Sequence, residues 1–382
     1  MTDWRIPLSD LDYGSEEASA VQRVIASKWL SMGQEVQAFE QEFAKMQGAK
    51  HALAVSSATA GLHLALLALG VTQSDEVIQP ALNFVAAANM TIALGATPIF
   101  ADICSLDEPT IDPSEVERLI SHRTKVVVVM HYGGSLCRMR ELKELCTKRG
   151  IAMVEDACHA VGVAYHDLQN RPPAGVMAGS IGEIGAFSFF ANKNIASGEG
   201  GMVVTDRADL AERVRLSRSH GMTSLTWDRH KGHAASYDVA NPGYNYRLDE
   251  LHAALGRVQL AKLARNNQRR RNLLASYREA AQSLAGWTMP FADAIEFSSG
   301  HLMVLVAPDP RVKQRALEAL RRHEIQSSLH YPCIADFTGF EGRSEETLKL
   351  TREFTSRAIT LPLYPDLNPE LIGDIVGVLR SV

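Results

Sequence analysis

Cysteine is scarce in this 382-residue chain: five residues, Cys104, Cys137, Cys146, Cys158 and Cys333, with no C-x-x-C pair among them. An odd count without paired spacing argues against a disulfide framework. It reads as a set of reduced thiols in a cytoplasmic protein. A long uninterrupted apolar run is missing too. The most apolar stretch, residues 52–71, contains Ser56, Ser57, Thr59 and His63. It reads as strand, polar turn and helix, not as a membrane span. The start, MTDWRIPLSD, has neither the basic region nor the apolar run of a secretory signal. Excess positive charge is absent: 39 Lys and Arg against 44 Asp and Glu give a net −5. With no helix-turn-helix signal either, a nucleic-acid partner is not expected. Internal repeats and low-complexity segments are lacking. So is a G-x-G-x-x-G between the first strand and helix, where SSATAG stands instead, which argues against a nicotinamide dehydrogenase.

What is present is alternation. Short apolar strands fall at 52–57, 76–83, 97–102, 125–134, 152–157, 185–190 and 202–205. Helical patterns at 59–70, 84–95, 113–121 and 138–149 lie between them, after an amphipathic segment at 14–28. This order predicts an α/β fold: a mostly parallel seven-stranded sheet sandwiched by helices. The length suggests two domains. From Leu248 the pattern changes to one long helix and then to short mixed strands and helices. That predicts a large domain over 1–247 and a smaller α+β domain over 248–382. The triplet RRR at 269–271 reads as a solvated helix face.

In such sheets ligands bind beyond the carboxyl ends of the strands, so polar residues there carry the interest. SSATAG (56–61) ends a strand and opens a helix. It suits a phosphate on helix N–H groups, or an ordinary Ser/Thr cap. EDACHA (155–160) puts Asp156 at the end of a buried strand, as a salt-bridged carboxylate or as the partner of a protonated heterocycle. PALNFVAAANM places Phe84 just past another strand, in the core or over a flat ring. FSFFANKNIASGEGG sets one lysine, Lys193, between an aromatic strand and a glycine cluster, with Ser188 five residues earlier. Most lysines are simply solvated. A phosphate cradle, a carboxylate, a stacking aromatic and a lone lysine at the ends of one sheet are together the requirements of pyridoxal phosphate.

Over nearly its whole length the chain resembles the DegT-like sugar aminotransferases of the fold-type I pyridoxal-phosphate enzymes. The resemblance rests on SSATAGLHLAL, NFVAAANMTIALGATPIFADI, VEDACHAVG, FSFFANKNIASGEGG, GYNYRLDELHAALGRVQL and LPLYP. It implies that Lys193 forms the Schiff base and that Asp156 pairs with the pyridinium nitrogen. His159 would stand near the cofactor's phenolic oxygen, and Phe84 would stack on the ring. Thr59, the amides of Ala60 and Gly61, and Ser188 would hold the phosphate. Asn245 would reach the phosphate of a neighbouring subunit, which implies a homodimer with shared sites. Sugar-dehydrating relatives carry His where this chain has Lys193, which favours transamination over dehydration. Ala58 stands where many members have Gly, and both are small. The implied reaction moves an amino group from L-glutamate or L-glutamine, through pyridoxamine phosphate, to a keto-sugar expected to be nucleotide-linked. A keto-cyclitol of aminoglycoside type is the alternative acceptor. A regulatory role without catalysis is a further reading, against which the complete set of cofactor residues weighs.

Outside the shared motifs, 217–239 is rich in His, Arg and aromatics. His220, Trp227, Arg229, His230, Lys231 and His233 are candidates for a nucleotide diphosphate or sugar hydroxyls, or form a solvated loop. H-x-x-H at His230 and His233 lacks a completing carboxylate or cysteine, so no metal is expected. Trp29, in WLSMG, and His330 and Tyr331, in HYPC, are further substrate-side candidates.

Overall fold

A computed structural model describes residues 4–165, 176–224, 236–340 and 348–382. Seven strands form the main sheet: β1 (His51–Val55), β2 (Glu76–Pro80), β3 (Thr97–Ala101), β4 (Thr124–Met130), β5 (Ala152–Asp156), β6 (Ile184–Ser188) and β7 (Gly201–Thr205). Their order is β1-β7-β6-β5-β4-β2-β3. β7 runs antiparallel to both of its neighbours, and the other pairs are parallel. Because β7 is reversed between β1 and β6, those two strands point the same way. The carboxyl ends of β1, β2, β4, β5 and β6 therefore share one edge.

Side chains alternate across this sheet, and both faces are covered. Val126 and Val128 of β4, Val154 of β5 and Val203 of β7 enter one core with the helices α3 (Ala58–Ala68) and α7 (Ala208–Ser217). Val127 and Val129 of β4 and Met153 of β5 enter the opposite core, under α5 (Pro113–Leu119) and α6 (Met139–Arg149). Further along that face, Met202 and Val204 of β7 meet Val36, Phe39 and Phe43 of α2 (Gln34–Gln47). The apolar run of β4 is long because neither of its faces meets water. Between β2 and β3 lies α4 (Ala86–Ala93), and α1 (Ser15–Ser27) precedes the sheet.

The helix α8 (Glu250–Ala281) starts at an Asp249 cap, whose carboxylate accepts the His252 amide at 3.0 Å. Its 32 residues span about 48 Å. Ala253 and Leu263 pack with α2, and Ala254 with α1. Leu273, Leu274 and Tyr277 join a separate core. That core holds the antiparallel pair β8 (Met303–Val306) and β9 (Ala358–Leu361) with α9 (Pro310–Arg322) and α11 (Glu370–Arg380); α10 (Lys349–Arg357) leads into β9. Ile6 belongs to it as well, bridging to Ile325.

The arginine triplet departs from expectation. Arg269 is exposed and pairs with Asp366 at 2.7 Å, but Arg270 is only 4% exposed. Its guanidinium donates to the Leu363 carbonyl at 2.9 Å. Helical periodicity turns position 270 to the face shared by Asn266, Asn267, Leu273 and Leu274, all buried.

Candidate active site

Above the shared strand ends lies a cavity of about 340 Å³. Residues following five strands line it: Ser57, Ala58 and Thr59 after β1; Asn83 and Phe84 after β2; Asp156 and His159 at the end of β5; Ser188, Asn192 and Lys193 around the end of β6; and Met130, the last residue of β4. His330 and Tyr331 close it from the C-terminal part of the chain. Lys193, Asp156, Phe84, His159, Ser188 and Thr59 are thus brought together from positions up to 134 residues apart (193 − 59).

Asp156 is buried. Its carboxylate accepts the Cys158 amide at 3.3 Å and the Asn83 side-chain amide at 3.4 Å, both long contacts. Lys193 Nζ lies 3.5 Å from His301 Nε2. Burial lowers the lysine's pKa from its ordinary value, against the nearby Cys158 and Asp156, which raise it. His159 stacks on His301 with ring centres 4.2 Å apart, and its Nε2 lies 2.9 Å from the Tyr331 hydroxyl. Burial and the cationic Lys193 push both imidazoles well below their usual range, and His330 falls to about 4 for the same two reasons. These rings are neutral at pH 7. Burial pushes the Tyr331 hydroxyl well above 10, with Asp156 adding to the effect.

The helix N-terminus differs in detail from expectation. The Ala60 amide donates to Ser57 Oγ at 3.1 Å and the Gly61 amide to the Ser57 carbonyl at 3.0 Å. Both expected donors are therefore satisfied within the first turn, and Gly61 is buried against Val203 and Val55. The cavity wall comes from Ser57, Ala58 and Thr59 instead. Gly201 explains how β7 comes so close: a Cβ there would lie 2.7 Å from the Ala58 amide nitrogen and the Phe187 carbonyl oxygen.

Other candidates fall elsewhere. Phe84 is 54% exposed at the rim, its ring centre 5.8 Å from that of Tyr331. Asn245 and His220 are exposed and do not line this cavity. Trp29 lies against Gly33, away from it. Trp227, Arg229, His230, Lys231 and His233 lie outside the described residues. Among the described residues no group of three or more His, Cys, Asp or Glu is placed to hold a metal ion. Among the described residues, too, no helix is long and apolar enough to cross a membrane. Sequence reasoning missed His301, Asn194 and Asn83. Asn83 sits inside a quoted strand end, and His301 follows a small polar cluster, SSG, just ahead of an apolar strand.

The residues present fit pyridoxal phosphate. Asp156 makes only long contacts, His159 Nδ1 and Asn192 Oδ1 are buried without a hydrogen-bond partner among the described residues, and a helix N-terminus opens onto the same space. A buried polar atom without a partner calls for a ligand or water.

The model of the DegT/DnrJ/EryC1/StrS aminotransferase family matches residues 12–380. The chain is 38% identical over 379 residues to the spore coat polysaccharide biosynthesis protein SpsC of Bacillus subtilis (strain 168), covering 97% of this chain and 95% of that one. Among solved structures it superposes on Helicobacter pylori PseC, an aminotransferase of pseudoaminic acid biosynthesis. That match has a TM-score of 0.88, 30% identity and 98% coverage of both chains. It also superposes on DesI, solved in the presence of its TDP-sugar product, with a TM-score of 0.84, 29% identity, 99% of this chain and 91% of that one. Solved relatives include forms with pyridoxal phosphate and with pyridoxamine phosphate. With strand order, cavity and match all in agreement, the chain belongs to the DegT/DnrJ/EryC1/StrS aminotransferase family and is a pyridoxal-phosphate-dependent aminotransferase.

Proposed function

We propose that the enzyme transfers an amino group from L-glutamate or L-glutamine to the ketone of a nucleotide-linked keto-sugar, giving an amino sugar. The observation that carries this reading is the convergence of Lys193, Asp156 and the N-terminus of α3 on one cavity. The roles of the polysaccharide protein SpsC and of PseC support a sugar acceptor, and the TDP-sugar product of DesI supports a nucleotide on it.

When bound, pyridoxal phosphate supplies an electron sink for the negative charge that develops on the carbon losing its proton. Lys193 Nζ is assigned the covalent link and, once released, the proton transfers at that carbon. Its lowered pKa enlarges the neutral fraction that can accept a proton. Neutral His159, His301 and His330 add no further positive charge around it. Asp156 would keep a proton on the ring nitrogen. Phe84 would cover a ring face, and His159 would face the ring oxygen. The start of α3 at Ala58 and Thr59 would hold the phosphate, with the hydroxyls of Ser57, Thr59 and Ser188. His330 and Tyr331 face the substrate.

Residues 1–247 are read as the cofactor-binding domain and 248–382 as the smaller one. The enzyme acts as a homodimer in which Asn245 serves the partner's site. Five free thiols support a cytoplasmic location.

The test is the absorbance spectrum of the purified enzyme before and after L-glutamate. A near-visible band that glutamate converts to a shorter-wavelength one is expected. In Lys193→Ala that band is lost and turnover falls at least about a thousandfold. Near wild-type turnover in that variant would sink the assignment.

A further inference from the structure

We propose that His301 is the positioning residue of the Lys193 amine, its Nε2 accepting a hydrogen bond from Nζ while Asn194 locks the imidazole in the tautomer that can do so. The assignment follows from groups whose roles are fixed. A carbonyl oxygen only accepts. Val161 O lies 3.0 Å from Asn267 Nδ2, so Asn267 turns Oδ1 the other way, toward Asn194. Asn194 Nδ2 lies 2.8 Å from that oxygen and 3.0 Å from Ser299 O, so it donates to both. This leaves Asn194 Oδ1 facing His301 Nδ1 at 2.9 Å. An amide oxygen cannot donate, so His301 Nδ1 carries the hydrogen. In a neutral imidazole the other nitrogen then holds a lone pair, and that nitrogen is the one 3.5 Å from Lys193 Nζ. Two main-chain carbonyls on different segments thus dictate, through two amides, which imidazole nitrogen meets the lysine.

His301 is 4% exposed, with His159 stacked on its ring at 4.2 Å. Burial and stacking leave the ring little freedom to turn. Burial, and after it His159, Lys193, Arg270 and His330, oppose its protonation, which would abolish the acceptor. With one N–H tethered to this fixed nitrogen, the free amine is kept at the cavity wall, in reach of the atoms whose protons it moves.

The inference rests on Lys193 being the reacting amine. That premise is tested separately by borohydride reduction of the holoenzyme and mass mapping. A cofactor adduct on another lysine would overturn the premise and leave the measurement below readable. The full-length chain, freed of cofactor, is labelled with trace acetic anhydride across a pH series, and Lys193 acylation is read by peptide mass spectrometry. Asp156, Cys158, His159, Glu199, His330 and Tyr331 also face the amine, and Arg270 acts through His301. All of them are unchanged in the variants used. His301→Phe removes the acceptor from the ammonium form, so the apparent pKa of Lys193 falls by about one unit. His301→Gln offers an amide oxygen in the place of Nε2 and restores most of that shift. A His301→Phe profile equal to or above wild type, or a His301→Gln profile equal to that of His301→Phe, overturns the proposal. Should His301→Phe fail to fold, long-range ¹H–¹⁵N spectra of the histidine-labelled wild-type chain decide alone. The Nδ1–H tautomer is expected for His301, and the Nε2–H tautomer overturns the proposal.

Discussion

Asp156 shows how much one residue can carry. It is buried, and its hydrogen bonds are an amide at 3.3 Å and a side-chain amide at 3.4 Å. A carboxylate held so loosely has capacity left for a stronger donor. Asp156→Asn keeps the shape and removes the charge proposed to retain a proton on the cofactor ring. We expect turnover to fall at least about a hundredfold with thermal stability near wild type; an unchanged rate constant in steady-state kinetics would remove Asp156 from the mechanism. His330 makes a prediction of a different kind. Its pKa falls from 6.5 to about 4 on folding, because burial and Lys193 oppose its charge. Between those values the unfolded chain binds a proton that the native chain does not, so stability is fully present above pH 6.5 and is lost as pH falls toward 4. The full effect is of order 3 kcal/mol. In urea melts at pH 7 and pH 5, His330→Asn should lose less stability than wild type over the same interval. Equal losses would show that this imidazole does not titrate as described. Lys193 and Asp156 stand out in the sequence because each ends a strand or follows one closely. His301 does not, because its role depends on Asn194 and Asn267, which lie 107 and 34 positions away (301 − 194 and 301 − 267).

At the scale of elements, α2 is instructive. Its N-cap is Gly33, which has no side chain to accept a hydrogen bond. The acceptor comes from Glu250, at the start of α8: its carboxylate takes the amides of Gly33 at 2.8 Å, Glu35 at 2.9 Å and Val36 at 3.0 Å. A negative charge at a helix N-terminus also complements the dipole. Glu250→Ala strands three amides in a largely buried place, at a cost of about 3 kcal/mol. A chemical denaturation midpoint that barely moves would refute this. The same arrangement explains what was legible. The seven strands could be read because apolar runs bounded by polar turns are local signals, and each lies within a few residues of its expected range. The helix α2 was not read, although Val36, Phe39 and Phe43 have helical spacing, because its start signal comes from 217 residues further along the chain. The buried Arg270 was missed likewise: three successive arginines look alike in sequence, and only the packing of α8 selects the middle one.

For the whole molecule, the question is what covers the mouth of the cavity. Phe84 and Phe190 line it and are 54% and 46% exposed, an unusual amount of aromatic surface to leave in water. Asn245 belongs to the stretch that resembles the family, yet it is exposed and outside its own chain's cavity. Both observations fit the proposed two-fold dimer, in which each chain completes the other's site. In that arrangement Lys193 and Asn245 of one chain serve different sites, so variants at the two positions should complement. Lys193→Ala is inactive alone, and Asn245→Asp, which sets a negative charge against the phosphate, is nearly so. In a dimer of one chain of each, one site carries both changes and the other carries neither. Random re-association of equal amounts makes half the dimers mixed, each with one intact site of two, so about a quarter of wild-type activity returns. If each chain built its site alone, mixing would restore nothing. The yield of recovered activity, measured against dimer mass, therefore distinguishes a shared site from two independent ones.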